Sequence, residues 1–288
     1  MVCIENENLK VWIKPKGAEL KSLVNKKSGP EHIWDANPGY WGKSSPVLFP
    51  IVGGLKNNQY FFQGKGYDLP RHGFARDMVF QTESKTPYSV TFLLESNEDT
   101  LKVYPFHFEF RLKYVLEYNL LKVTYEVKNT SDSQMYFSVG GHPAFAVPFD
   151  GEGYERYYLE FPEDEMLMIS TLSSDGLIEP NPIGMPLENK RLNLTKKLFY
   201  NDALVLKTLK SSTLFLKSEV SESSLKFDFE GFPYFGIWAA KDANFVCLEP
   251  WCGIADSVDH NQELTEKEGI NQLASGALFE RTWSVEVI

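Results

Sequence analysis

The sequence predicts an all-β protein, and three observations carry that expectation. Aromatic residues make up 14% of the chain, as 21 Phe, 14 Tyr and 6 Trp, and aromatic and β-branched residues suit a pleated, half-buried surface. Twenty Gly and 16 Pro are spread along the whole length, dividing the apolar segments as turns divide strands. Apolar residues alternate with polar ones at a period of two, and no segment carries a long stripe at a period of 3.6.

Taken in chain order, Leu9, Val11 and Ile13 alternate with Lys10, Trp12 and Lys14, and Pro15 to Gly17 then marks a turn. The clearest strand region runs from Phe106 to Val127. Phe106, Phe108, Phe110, Leu112, Tyr114 and Leu116 share one face, and His107, Glu109, Arg111 and Lys113 share the other. A reversal near Glu117 to Leu120 returns the pattern through Leu121, Val123, Tyr125 and Val127, which predicts two long antiparallel strands. Leu159 to Asn193 holds many turn residues and reads as ordered loop. Leu214 and Leu216, then Leu225, Phe227 and Phe229 beyond a polar turn at Ser221 to Ser224, predict a second pair. Phe235 to Trp238 and Phe245 to Leu248 read as buried strands. Glu263 to Leu273 is the best candidate for a short helix, weakened by Gly269. Trp283, Val285 and Val287 close the chain as a strand. No linker or repeat divides the sequence, so one domain over residues 1–288 is expected, large enough to bury about three quarters of its unfolded surface.

Charge and cysteine content narrow the function. The formal net charge is -10, and only six of the 29 basic residues are Arg. Without a basic run the chain is a poor partner for nucleic acid or an anionic membrane surface, and no apolar run is long enough to span a bilayer. Cys3, Cys247 and Cys252 cannot build a disulfide framework, and the spacing of the last two matches no common metal hairpin. Reduced thiols and an opening interrupted by Glu5, Glu7 and Lys10 predict a cytoplasmic protein.

The sequence has no phosphate loop, no HExxH and no GxSxG. Gly64-Lys65-Gly66 and Gly151-Glu152-Gly153 are too short for a dinucleotide fingerprint. Three segments dense in chemistry remain: Leu69-Pro70-Arg71-His72-Gly73-Phe74-Ala75-Arg76-Asp77, Ser138-Val139-Gly140-Gly141-His142-Pro143-Ala144-Phe145 and Cys247-Leu248-Glu249-Pro250-Trp251-Cys252-Gly253. Each also has a purely structural explanation, as turn residues, a solvated ion-pair network or core. Together they offer an acid, a base, extra donors and an aromatic platform. His142 and Glu249 suit proton transfer near neutrality, since imidazole titrates there and burial beside Trp251 raises a carboxyl. Arg71 and Arg76 supply donor forks for hydroxyls or a phosphate. The histidines lack metal-ligand spacing, so neither a metal nor another cofactor is expected.

These segments resemble the aldose 1-epimerase (galactose mutarotase) family. The likeness is closest to its LacX-like branch and extends to the glucose-6-phosphate 1-epimerases. Five markers occur in family order: Phe49-Pro50-Ile51-Val52-Gly53, Arg71 to Asp77, Gly141-His142-Pro143-Ala144-Phe145, Asn201-Asp202-Ala203-Leu204 and Leu248-Glu249-Pro250-Trp251. The resemblance implies a large antiparallel β supersandwich with an open concave sugar site. It implies exchange of the α and β anomers of an aldose, with Glu249 as general base on the C1 hydroxyl and His142 as general acid on the ring oxygen. It also implies His72 as a substrate-polarising residue and Asp202 as a holder of sugar hydroxyls; Asp202 is marked by nothing else in the sequence. The partner implied is a small sugar, and the protein a monomer or homodimer.

One departure stands out. Many family members carry Arg after the first glycine of the segment starting at Phe49, where this chain has Gly54. Arg76 is the first substitute and Arg71 the second. The substrate stays open between a free hexose, a hexose 6-phosphate and another aldose, with the low Arg content favouring a neutral sugar. Two other readings stand beside the epimerase: a carbohydrate-binding or sensor protein without catalysis, and a glycosidase using Asp202 with Glu249.

Overall fold

The alternation between Phe106 and Val127 folds as two ten-residue strands, Phe108–Glu117 and Leu120–Asn129, paired antiparallel with Leu120 opposite Glu117. Every second residue of each is buried, as the pattern requires. Tyr118 turns the chain with a left-handed φ of 53°. This hairpin lies within a nine-stranded antiparallel sheet, beside its middle strand, in the computed structural model, which describes residues 1–149 and 153–288. Gly151 and Glu152 of the Gly151-Glu152-Gly153 triplet lie outside the described residues.

From one edge to the other, the nine strands are Arg191–Asn193, Tyr157–Glu160, Thr213–Ser218, Leu225–Asp228, Leu278–Val287, Leu120–Asn129, Phe108–Glu117, Ser89–Glu95 and Gln81–Lys85. A second, eight-stranded sheet is built around Phe245–Cys252. Tyr234–Trp238 lies on one side of it, and Val139–Gly141 and Ala144–Ala146 pair with its other side. The fold is therefore the supersandwich type expected, mostly antiparallel sheet.

An aromatic layer joins the two sheets. Phe49 stacks on Phe110 with ring centroids 4.5 Å apart. Phe227, from the nine-stranded sheet, meets Phe145 at 5.8 Å and Phe235 at 6.1 Å, both from the other sheet. The Trp283 indole donates to the Tyr125 hydroxyl at 2.7 Å. One contiguous cluster of buried apolar residues runs from Ile4 to Val287.

Two expectations are corrected. Glu263 to Leu273 is not a helix: a single 3-10 turn, Leu264–Glu266, is followed by Gly269 at φ 70°, and Asn271–Leu273 then pairs as a strand with Met135–Phe137. The helical geometry already ends at Lys267, which is extended at ψ 129°. Gly269 then makes a turn that carries the Ile270 N–H to the Lys267 carbonyl, and the strand partner offers the backbone other bonds. Leu159 to Asn193 is not loop throughout, since it contains Met166–Ser170, Ile183–Pro186 and Arg191–Asn193. The last two lie at sheet edges, where Pro is tolerated and short strands escape a periodicity reading. Among the described residues the one α-helix is Glu98–Val103, capped by the Asn97 side chain, which accepts from the Asp99 and Thr100 N–H groups. Six residues are too few to show a 3.6-residue stripe. No helix there is long and apolar enough to cross a membrane.

Phe110 is fully buried at the centre of the aromatic layer. Phe110→Ala is expected to lower unfolding free energy by about 3–5 kcal/mol, read by urea denaturation. A loss below about 1 kcal/mol would show that the layer does not bind the sheets together.

Candidate active site

Two of the motifs interlock by backbone. The Phe74 and Ala75 N–H groups both donate to the Phe49 carbonyl, at 3.1 and 3.2 Å. The His72 N–H donates to the Gly53 carbonyl at 2.9 Å. In return the Gly53 N–H donates to His72 Nδ1 at 3.1 Å. A nitrogen that accepts a hydrogen bond carries no proton, so the neutral His72 ring carries its proton on Nε2. Gly73 makes the crossing possible, because it takes φ 69° and a Cβ there would stand 2.3 Å from the Phe49 oxygen.

The loop after Gly53 is tied down from beneath. Asp256 and Lys267 are buried and paired at 2.7 Å. The other Asp256 oxygen accepts from the Lys56 N–H at 2.9 Å, and the Asp256 N–H donates to the Gly54 carbonyl at 2.9 Å. Burial pushes the Asp256 carboxyl up, but bonds from His260, Lys267 and Lys56 outweigh it and bring the pKa down to about 2.

Glu249 and Trp251 alternate along the central strand Phe245–Cys252, so both point to one face. Their cross-strand partners in Tyr234–Trp238 are Gly236 and Tyr234. Gly140 and Gly236 flank the Trp251 indole, and a Cβ on either would come within 2.6 Å of it. Gly141 meets the other side of the sheet, where a Cβ would stand 2.5 Å from the Tyr125 hydroxyl. His142 follows at once, with Nε2 3.3 Å from Oε2 of Glu249. The Trp41 ring stacks on the imidazole at 4.9 Å and Trp238 meets it edge-on at 5.6 Å. The His72 ring lies 5.7 Å from that of His142.

The Glu249, Trp251, His142 and His72 side chains face a cavity of about 820 Å³. It is lined by every site residue proposed from the sequence: His72, His142, Glu249, Asp202, Arg71, Arg76 and Trp251. Asp202 sits at φ 83° and its carboxylate lies 3.9 Å from the Arg71 guanidinium. Arg76 reaches the cavity too, while donating to the Arg71 carbonyl at 2.8 Å and lying 3.7 Å from Asp77. Trp41 and Trp238 also line the cavity, and sequence reasoning missed both. The signal for Trp41 was an aromatic pair, Tyr40-Trp41, inside an otherwise polar Asn-Pro-Gly loop.

Burial decides the protonation of the central pair. Glu249 is 2% exposed and His142 8%. Burial lifts the Glu249 carboxyl well above its usual range, Asp202 adds to that, and Trp251 and Arg71 oppose it. Burial also lowers His142 to about 3, with Arg76 and Arg71 acting in the same direction. His72 is likewise pushed far down, by burial first and then by His142 and the two arginines. Both shifts favour the neutral forms, carboxylic acid and imidazole, at mid-range pH.

The aldose 1-epimerase family model matches residues 1–269. The chain belongs to the aldose 1-epimerase family. It is 34% identical over 298 residues to the chromosomal LacX protein of Lactococcus lactis subsp. lactis, covering 99% of this chain and 98% of the relative. A galactose mutarotase related enzyme from Lactobacillus acidophilus superposes with a TM-score of 0.95 at 39% identity, covering 100% of this chain and 97% of that one. A galactose mutarotase-like protein from Lactobacillus casei superposes at 0.92 with 31% identity and full coverage of both. An aldose 1-epimerase family member on this fold carries mutarotase-type isomerase chemistry in general; the hexose is not fixed by membership.

The buried pair has a stability signature. Glu249 ionises near 4.5 when unfolded and far higher when folded. Between those values the folded state keeps a proton that the unfolded chain has lost, so this group's contribution falls as pH rises. His142 works the other way between about 3 and 6.5, where the unfolded chain binds the extra proton and stability rises with pH. His72 acts as His142 does up to 6.5, so these three groups should make wild type gain stability from pH 3 to 6.5, less steeply above 4.5, and lose it above 6.5. Glu249→Gln should be more stable than wild type by a margin that grows from pH 4 to pH 8, measured by urea denaturation. An equal margin at both pH values would falsify the buried, protonated state of Glu249.

Proposed function

We propose that this protein is an aldose 1-epimerase of the LacX-like branch, exchanging the α and β anomers of a neutral hexose. The observation that carries the proposal is the buried Glu249–His142 pair, 3.3 Å apart and open to a cavity that Asp202 and His72 also line. In the reaction Glu249 is the base and His142 the acid. The resting pair holds its proton on Glu249. The reactive pair holds it on His142, so the enzyme becomes active by an internal transfer and draws no proton from solvent.

From that state Glu249 takes the proton of the C1 hydroxyl. The C1–O5 bond breaks as His142 gives its proton to O5. The pair is then neutral again, carboxylic acid and imidazole, beside an open-chain aldehyde. Rotation about C1–C2 presents the other carbonyl face. Glu249 returns its proton to the carbonyl oxygen while O5 attacks C1 and yields its proton to His142. General acid–base catalysis of this kind contributes roughly 10²- to 10⁴-fold. The Nε2–H of His72 serves as a donor to a sugar oxygen, Asp202 accepts from hydroxyls, and Arg76 supplies the donor absent at Gly54. Trp251 forms an apolar floor.

A neutral substrate is favoured because both cavity arginines already have acidic neighbours, Arg71 with Asp202 and Arg76 with Asp77. A phosphate would have to compete with those carboxylates for the two forks. His142 supplies the acid without a second carboxylate, which speaks against a glycosidase pair. We read the chain as one cytoplasmic domain, monomeric or homodimeric.

The test is anomer exchange by proton NMR from pure α-galactose, α-glucose and glucose 6-phosphate near pH 7. The expected result is acceleration over the spontaneous rate, greatest with a neutral hexose and reduced at least about 100-fold by Glu249→Gln and by His142→Asn. Folded protein that binds these sugars without accelerating exchange would instead be a carbohydrate sensor.

A further inference from the structure

Cys247 shares the face of the central strand that carries Glu249, two residues away. It pairs with Ala144, two residues beyond His142, and with Trp238 on the other side. The thiol is reduced and fully buried. One ligand atom from each of His142, Cys247 and Glu249 lies within 4.8 Å of the other two. We propose that His142, Cys247 and Glu249 form a binding site for a thiophilic divalent cation such as Zn²⁺, whose occupation shuts off the catalytic pair.

The geometry suits such an ion. Zinc takes thiolate at about 2.3 Å and imidazole or carboxylate at about 2.0–2.2 Å, in tetrahedral arrangement. Tetrahedral ligands at those bond lengths stand roughly 3.3–3.6 Å apart. The His142–Glu249 separation of 3.3 Å already has that value, and Cys247 has to close a short remaining gap. Mixed nitrogen, oxygen and sulfur donors favour zinc over magnesium or calcium, which prefer oxygen alone. Three protein ligands leave a fourth position for water or another small ligand, and two of the three, His142 and Glu249, line the cavity. The ligands sit on or beside paired strands, so the set is held rather than assembled from loops.

Binding breaks the S–H bond of Cys247 and forms a Zn–S bond, with the thiol proton passing to buffer. The Glu249 proton leaves the same way, and His142 contributes a nitrogen lone pair without losing a proton. No electron is transferred. A pair so bound has neither a free base nor a free acid. The inhibitory consequence rests on the function proposed above; the binding does not.

The experiment therefore reads binding separately from activity. Zn²⁺ is titrated calorimetrically into wild type, Cys247→Ala, Cys247→Ser and, as a control thiol, Cys252→Ala. Cys252 lies apart, with its thiol directed at the Gly231 carbonyl. The expected result is one ion per chain in wild type and Cys252→Ala, weakened at least tenfold in both Cys247 variants. Co²⁺ in wild type should show a thiolate-to-cobalt charge-transfer band, which needs no variant to fold. Absence of that band at saturation, or equal affinity with and without the Cys247 thiol, overturns the site. Given binding, Zn²⁺ should inhibit anomer exchange in wild type and spare Cys247→Ala. Tight binding with anomer exchange unaffected by Zn²⁺ would refute the inhibition while leaving the ion site standing.

Discussion

A carboxyl and an imidazole that water would keep charged are held 3.3 Å apart where water barely reaches them. Removing an ion from water costs several kcal/mol even after a protein relaxes around it. The pair escapes most of that cost by staying neutral, with one proton between its members. That requires a surround dry enough to favour the neutral forms and rigid enough to fix the separation. Both demands explain the scale of the molecule around so small a site. His142 follows directly from one strand of the eight-stranded sheet and Glu249 lies in that sheet's central strand. The sheet is backed by an aromatic layer that joins it to nine further strands. Trp41 and Trp238 close the remaining side around the imidazole, and Phe245 packs against both.

Close approach is obtained with glycine where most sheets would use a side chain. Gly140 and Gly236 open the slot that Trp251 fills, and Gly141 lets the backbone before His142 rest on the Tyr125 hydroxyl. Glycine within strands ordinarily weakens them. Here the loss is accepted where it seats Trp251 in the cavity wall. The buried Asp256–Lys267 pair follows the same logic. Such pairs are weak contributors to net stability, but this one fixes Gly54 and Lys56 and so holds the Gly53 N–H against His72.

Much of this was legible in the sequence, for reasons that can be stated. Period-two alternation is a direct imprint of a half-buried sheet, so Phe108–Glu117 and Leu120–Asn129 could be read almost residue by residue. The short edge strands Ile183–Pro186 and Arg191–Asn193 could not, because three or four residues carry too little pattern. Glu249 and His142 stood out because ionisable groups beside Gly, Pro and Trp where apolar runs end are chemically unusual, although the strand expected to stop at Leu248 runs on through Glu249 to Cys252. Asp202 came only through the family resemblance: it lies at a left-handed loop position that composition does not mark. Trp41 was passed over, and the place of Cys247 beside His142 stayed open, because both contacts arise from packing across strands and loops distant in sequence.

In the proposed reaction the sugar also helps to arm the base. Asp202 and Arg71 pull the Glu249 proton in opposite directions, the carboxylate holding it on and the guanidinium drawing it off. They are also close to each other, at 3.9 Å, so each is partly masked by the other. A hydroxyl donated to Asp202 draws its negative charge toward the sugar. The push that keeps Glu249 protonated then weakens, while the pull of Arg71 is unmasked. The proton moves more readily to His142, and the reactive state is favoured only once substrate is present. A residue that holds the sugar thereby also sets when the carboxylate forms, which ties binding and activation to one pair at the mouth of the cavity.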